Sequence, residues 1–166
     1  MTYEKSKTSK EIRQKIALNS TFEEVRLVYR NRTPAAYRTK IKSPKDAFDV
    51  LVKNWDNDQI GLLEECKVLL LDRSLRLMSI ASISKGGMSG TIIDPKVVFS
   101  IALKRRANSI ILAHNHPSGN LKPSDPDIRL TENFIMAGKV LQIPLEDHLI
   151  ITQDGYTSLL ADGYVG

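Results

Sequence analysis

Cysteine is almost missing from this chain: Cys66 is the only one in 166 residues. A single thiol excludes an internal disulfide, a multi-cysteine zinc finger and the paired-cysteine zinc site of nucleobase deaminases. It suits the reducing cytoplasm, and its place in an apolar run marks it as a small buried hydrophobe. Long apolar runs are lacking too. The longest, "VLLLD" and "SIILA", are strand-sized, far short of the roughly 20 residues of a membrane helix. The opening stretch, "MTYEKSKTSKEIRQK", has no apolar core and so does not read as a secretory signal. The expectation is a cytoplasmic protein with no membrane partner, about one domain long.

Charge is not lacking, but it is unevenly spread. Residues 1–45 carry 12 Lys and Arg against 4 Asp and Glu, whereas residues 46–166 carry 12 against 15. The basic character therefore belongs to an N-terminal arm, taken as residues 1–42, and not to the domain that follows at 43–166. Such an arm can touch DNA or another acidic surface, and it can equally be a solvated extension.

Hydrophobic periodicity lays out the rest. A frayed helix is expected near Lys10–Leu18, and "EVRLVYRN" reads as a strand over 24–31. Ser43 followed by Pro44 is a cap-plus-proline start for a helix ending near Asn57, and Asp94–Pro95 repeats that signal before "KVVFSIALKRRA". "ECKVLLLD" and "LRLMSIASI" read as strands joined by a turn at Asp72–Ser74. "SIILAH" is a short buried strand, a helix spans Asp125–Leu141, and "EDHLIIT" is a further strand before a terminal strand or turn. This order predicts an α/β domain with a mixed sheet flanked by helices.

Histidine is scarce as well, yet two of the three stand one residue apart, in "LAHNHPSGNLKPSDPD". Side chains at i and i+2 of an extended segment project to the same face, so His114 and His116 could converge on one zinc ion at about 2.0–2.1 Å. Asp127, at the start of the next helix, is available as a third ligand. Three protein ligands and an open fourth position characterise a catalytic zinc site. A plainer reading covers the same residues: Ser124 as N-cap with Asp127 at N3 is a capping-box variant, its carboxylate favoured by the helix dipole.

The run matches the JAMM metalloprotease motif, HxH, seven residues, then SxxD, of JAB/MPN domains. With "DPKVVFSIALKRRANSIILAHNHPSGNLKPSDPDIRLT" and "LEDHLIITQDGYTSL" around it, the chain resembles the RadC family over about residues 43–166. Two departures stand out. Long RadC proteins carry a helix-hairpin-helix region that nothing here resembles, and Asp94-Pro95-Lys96-Val97 stands where the family often has "HPRE". The resemblance implies the JAB/MPN (cytidine deaminase-like) architecture and one Zn2+ per chain on His114, His116 and Asp127. It further implies a general base at Glu64, with Glu65 as its neighbouring rival, and an oxyanion-stabilising hydroxyl at Ser124. Asp147 and His148 match the family's "DH" pair, for which a supporting hydrogen-bonding role is implied and not ligation. The activity implied is hydrolysis of peptide or isopeptide bonds in a peptide or protein substrate. The alternative is a DNA-repair-associated, nucleic-acid-binding protein whose metal site serves a different reaction or none. The letters "HNH" at 114–116 do not make an HNH nuclease, which spreads those residues over a whole ββα unit.

Overall fold

A short polar residue starts each of the three described α-helices of the computed structural model, which describes residues 33–87 and 90–166. The helix expected near Lys10–Leu18 and the strand expected over 24–31 lie outside the described residues. Ser43 caps α1 (Pro44–Lys53) by accepting from the Asp46 amide. The Asp94 carboxylate does the same for α2 (Pro95–Arg105) through the Lys96 amide. Ser124 caps α3 (Asp125–Leu141), and each helix has proline in its first two positions. One helix is shorter than expected: α1 stops at Lys53, not Asn57. The Asn54 side chain folds back onto the Val50 carbonyl at 2.8 Å, and the Asp56 carboxylate accepts from the Asp58 amide to begin a separate turn.

Five strands form one sheet in the order β2-β1-β3-β4-β5: β1 (Glu65–Leu71), β2 (Leu77–Lys85), β3 (Ser109–Asn115), β4 (Leu145–Ile151) and β5 (Tyr156–Ser158). β3 and β4 are parallel, joined by the α3 crossover, and the remaining pairs are antiparallel. The sheet is therefore mixed and flanked by helices, as expected. β2 starts two residues later than its apolar pattern suggests. The Asp72 carboxylate accepts from the Ser74 and Arg76 amides and pairs with Arg38, while Leu75 adopts φ 56°, so the turn extends through Arg76. Burial alone would raise the Asp72 carboxyl pKa, but those amides and the Arg38 guanidinium outweigh it and hold it below its usual range.

The central strands are buried on both faces, which is why they read as continuous apolar runs. Cys66, Val68 and Leu70 of β1, with Ile110 and Leu112 of β3, pack against Val98, Phe99 and Ala102 of α2 and Phe134 of α3. The alternate residues Leu69, Leu71, Ile111 and Ala113, with Leu149 and Ile151 of β4, pack against Ala47 and Leu51 of α1 and Trp55. Cys66 is fully buried, as expected, and burial pushes its thiol pKa far up, leaving it an inert hydrophobe. Among the described residues no helix is long and apolar enough to cross a membrane.

Candidate metal centre

The two-residue alternation of β3 sorts the motif between the faces of the sheet. Ile110, Leu112 and His114 share the face covered by α2 and α3, and Ile111, Ala113 and Asn115 share the face covered by α1. His116 follows directly and keeps the His114 side, its amide held by the Ile151 carbonyl at 3.0 Å. Asp127 reaches the same place from the first turn of α3. The three groups meet at the carboxyl end of a parallel strand pair, where open α/β sheets place their ligands.

The spacing of the donor atoms tests whether a metal fits. His114 Nε2 lies 3.1 Å from His116 Nε2 and 3.3 Å from Asp127 Oδ1, and His116 Nε2 lies 3.7 Å from Asp127 Oδ2. Ligands held about 2.0–2.1 Å from a tetrahedral zinc are about 3.3 Å apart. His114 is buried and the other two are half-buried, so an approach from solvent remains open. His116 Nδ1 lies 2.6 Å from the Asn120 carbonyl. A carbonyl only accepts, so Nδ1 carries a proton and His116 Nε2 is the nitrogen turned toward the other two donors. The turn that sets this contact needs Gly119 at φ 78°, with its amide bonded to the His116 carbonyl.

Asp127 serves the helix and the cluster together. Its Oδ2 accepts from the Ser124 amide at 2.8 Å and from the Ser124 hydroxyl at 2.6 Å, while Oδ1 faces His114. Burial pushes its carboxyl pKa up, but the His114 ring and the two Ser124 groups more than reverse this, so it is ionised at neutral pH. Behind His114, its Nδ1 meets His148 Nε2 at 2.8 Å, and His148 Nδ1 meets Thr131 Oγ1 at 2.7 Å. His148 is wholly buried, and burial, with the His114 ring adding to it, drives its pKa far down and leaves it neutral. Its partner in the pair, Asp147, points elsewhere, accepting from Ser158 Oγ at 2.7 Å and from the amides of His148 and Leu160.

The two glutamates part company at the start of β1. Glu64 lines an open cleft of about 630 Å³ together with His116, Ser124 and Asp127, with Thr91 and Lys122 on its walls. Glu65 is buried and paired with Lys85 at 3.0 Å and Lys67 at 3.7 Å, in a different pocket. Sequence reading missed what holds this segment. Asn115 Nδ2 donates to the carbonyls of Ile60 and Leu63, and its Oδ1 accepts from the Glu65 amide at 2.7 Å. The available signal was strand alternation itself, which turns the residue between His114 and His116 to the opposite face.

The family model described as a RadC-like JAB domain matches residues 41–164. The chain belongs to the RadC family. A UPF0758 protein of Flavobacterium johnsoniae is 44% identical over 126 residues, covering 75% of this chain and 53% of that protein. A UPF0758 protein of Syntrophomonas wolfei is 39% identical over 135 residues (77% and 55%), and one of Methanosarcina mazei is 35% identical over 128 (77% and 55%). This RadC-family chain thus spans about half the length of the curated relatives it matches.

Proposed function

We propose that this RadC-family chain is a zinc-dependent hydrolase of the JAMM type acting on peptide or isopeptide bonds. The observation that carries the reading is the close approach of His114, His116 and Asp127, the last two lining an open cleft together with Glu64 and Ser124. Zinc held by those three residues would supply Lewis acidity, lowering the pKa of water towards about 7. Glu64 takes a proton from the attacking water and returns it to the leaving amine, acting first as base and then as acid. The Ser124 hydroxyl, which donates to Asp127 Oδ2, turns to donate to the substrate carbonyl oxygen as negative charge develops there. Glu65, held by two lysines, takes no part.

The test is turnover of a panel of peptides and isopeptide conjugates, with zinc content measured on the same samples. Glu64→Gln should keep its zinc and lose about 10²–10⁴-fold in rate, as expected for removal of a general base. Glu65→Gln should turn over at close to the parent rate. Full activity of Glu64→Gln on a zinc-dependent substrate would contradict this assignment.

The charge asymmetry of the chain favours a second reading, a nucleic-acid-associated protein in which the metal serves another reaction or none. Here residues 1–42 are a basic arm giving affinity without chemistry, and residues 43–166 are the domain. Removing residues 1–20 should then abolish DNA binding that already weakens steeply with salt. Binding that survives both would place the contact on the domain instead.

A further inference from the structure

His148 is a wholly buried imidazole that touches the metal cluster without reaching the cleft, and it is not among the residues lining that cleft. Its two nitrogens have one partner each, and the partners decide which carries hydrogen. Thr131 Oγ1 lies 2.6 Å from the Asp127 carbonyl, four residues back along α3. Two oxygens that close need a proton between them, and the carbonyl has none, so the threonine hydroxyl donates there. Its single hydrogen being used, Oγ1 can only accept from His148 Nδ1, 2.7 Å away. A neutral His148 with its proton on Nδ1 has a bare lone pair on Nε2. That lone pair sits 2.8 Å from His114 Nδ1, so His114 Nδ1–H must donate. His114 Nε2 is then the nitrogen turned toward the site, facing His116 Nε2 and Asp127 Oδ1.

The opposite chain of donors fails at one point. Were the Thr131 hydroxyl to donate to His148 Nδ1, hydrogen would pass to His148 Nε2 and then to His114 Nε2, which could no longer bind a cation. It would also leave Thr131 Oγ1 and the Asp127 carbonyl facing each other at 2.6 Å with no hydrogen between them.

From this we infer that Thr131 and His148 are positioning residues that lock His114 in the metal-binding tautomer. The hydroxyl of α3 reads the backbone of one ligand, Asp127, and sets the proton of another, His114, through a ring on β4. The chain closes on itself, because His114 and Asp127 face each other across the site at 3.3 Å. Each of the two ligands is thereby fixed relative to the other before any ion arrives. The inference rests on the metal site proposed above and adds how that site is held ready.

Two measurements on the full chain test it. The first needs no variant: long-range 1H–15N correlation spectra of the zinc-free protein at neutral pH report which ring nitrogen of each histidine carries hydrogen. His148 and His114 should both appear protonated on Nδ1, and a His148 protonated on Nε2 overturns the lock. The second is zinc affinity by competition with a chromophoric chelator. Thr131→Val keeps the shape but removes the hydroxyl, and should weaken zinc by about 10–100-fold, whereas Thr131→Ser should bind within a few-fold of the parent. Zinc binding by Thr131→Val as tight as the parent, or by Thr131→Ser as weak as by Thr131→Val, also overturns it. His116→Ala separates this from the site itself. If that variant loses zinc while Thr131→Val does not, the lock is wrong and the site stands. If His116→Ala keeps its zinc, the site is wrong.

Discussion

Asn115 stands between the two histidines, faces away from them, and uses all three of its side-chain contacts on backbone groups. Two carbonyls, from Ile60 and Leu63, and one amide, from Glu65, depend on it. Buried backbone groups left without a partner cost about 1–3 kcal/mol each. Asn115→Asp keeps the acceptor for Glu65 but turns a carboxylate toward two carbonyls. We expect a loss of about 2–6 kcal/mol in denaturant unfolding, and a larger drop in hydrolysis than in zinc affinity, because the segment released carries Glu64. Parental stability in this variant would show that the clamp holds nothing. At this scale the cluster of His114, His116 and Asp127 was legible in the letters, because HxH and SxxD state which atoms can meet. Strand alternation could show that Asn115 faces away from the histidines, but the groups it clamps were not legible, because they are backbone atoms 50 or more residues away. The Ser124–Asp127 pair shows why two sequence readings of one motif need not compete: one carboxylate oxygen caps the helix while the other faces His114.

Among the elements, α3 does most to assemble the site, since it carries Asp127 at its start and Thr131 one turn later. Its far end sets where β4, and with it His148, begins. Gln142 leaves the helix at φ 55°, and the chain turns back so tightly that the Ile143 amide bonds to the Gly138 carbonyl at 2.9 Å. A Cβ added at Gly138 would stand 2.6 Å from the Ile143 carbonyl oxygen and 3.3 Å from the Leu145 amide. Both are backbone atoms and neither can rotate away, so Gly138→Ala should destabilise the fold by about 1–3 kcal/mol. Thermal unfolding reads this directly, and an unchanged midpoint would mean that the helix and β4 separate at no cost. Helix starts were legible because caps and prolines are local chemistry. The C-terminal end of α1 and the start of β2 were misplaced because Asn54 and Asp72 bond back to the main chain, which hydrophobic periodicity does not register.

At the scale of the molecule, the parallel β3–β4 pair sets the site, since the α3 crossover begins at the strand end where the histidines emerge and carries the chain back to the start of β4. The mixed, helix-flanked sheet was legible because strands buried on both faces alternate with capped helices, whereas the strand order and the parallel pairing are set by contacts distant in sequence. The basic excess lies in residues 1–45 of the sequence, whereas residues 46–166 are slightly acidic. Everything proposed for the reaction depends on one physical claim, that His114, His116 and Asp127 bind a single metal ion. Elemental analysis of the full chain purified without chelator, beside His114→Ala, His116→Ala and Asp127→Ala, addresses that claim most directly. About one zinc per chain is expected in the parent and a large loss in each of the three variants. Parental zinc content in any one of them would contradict it.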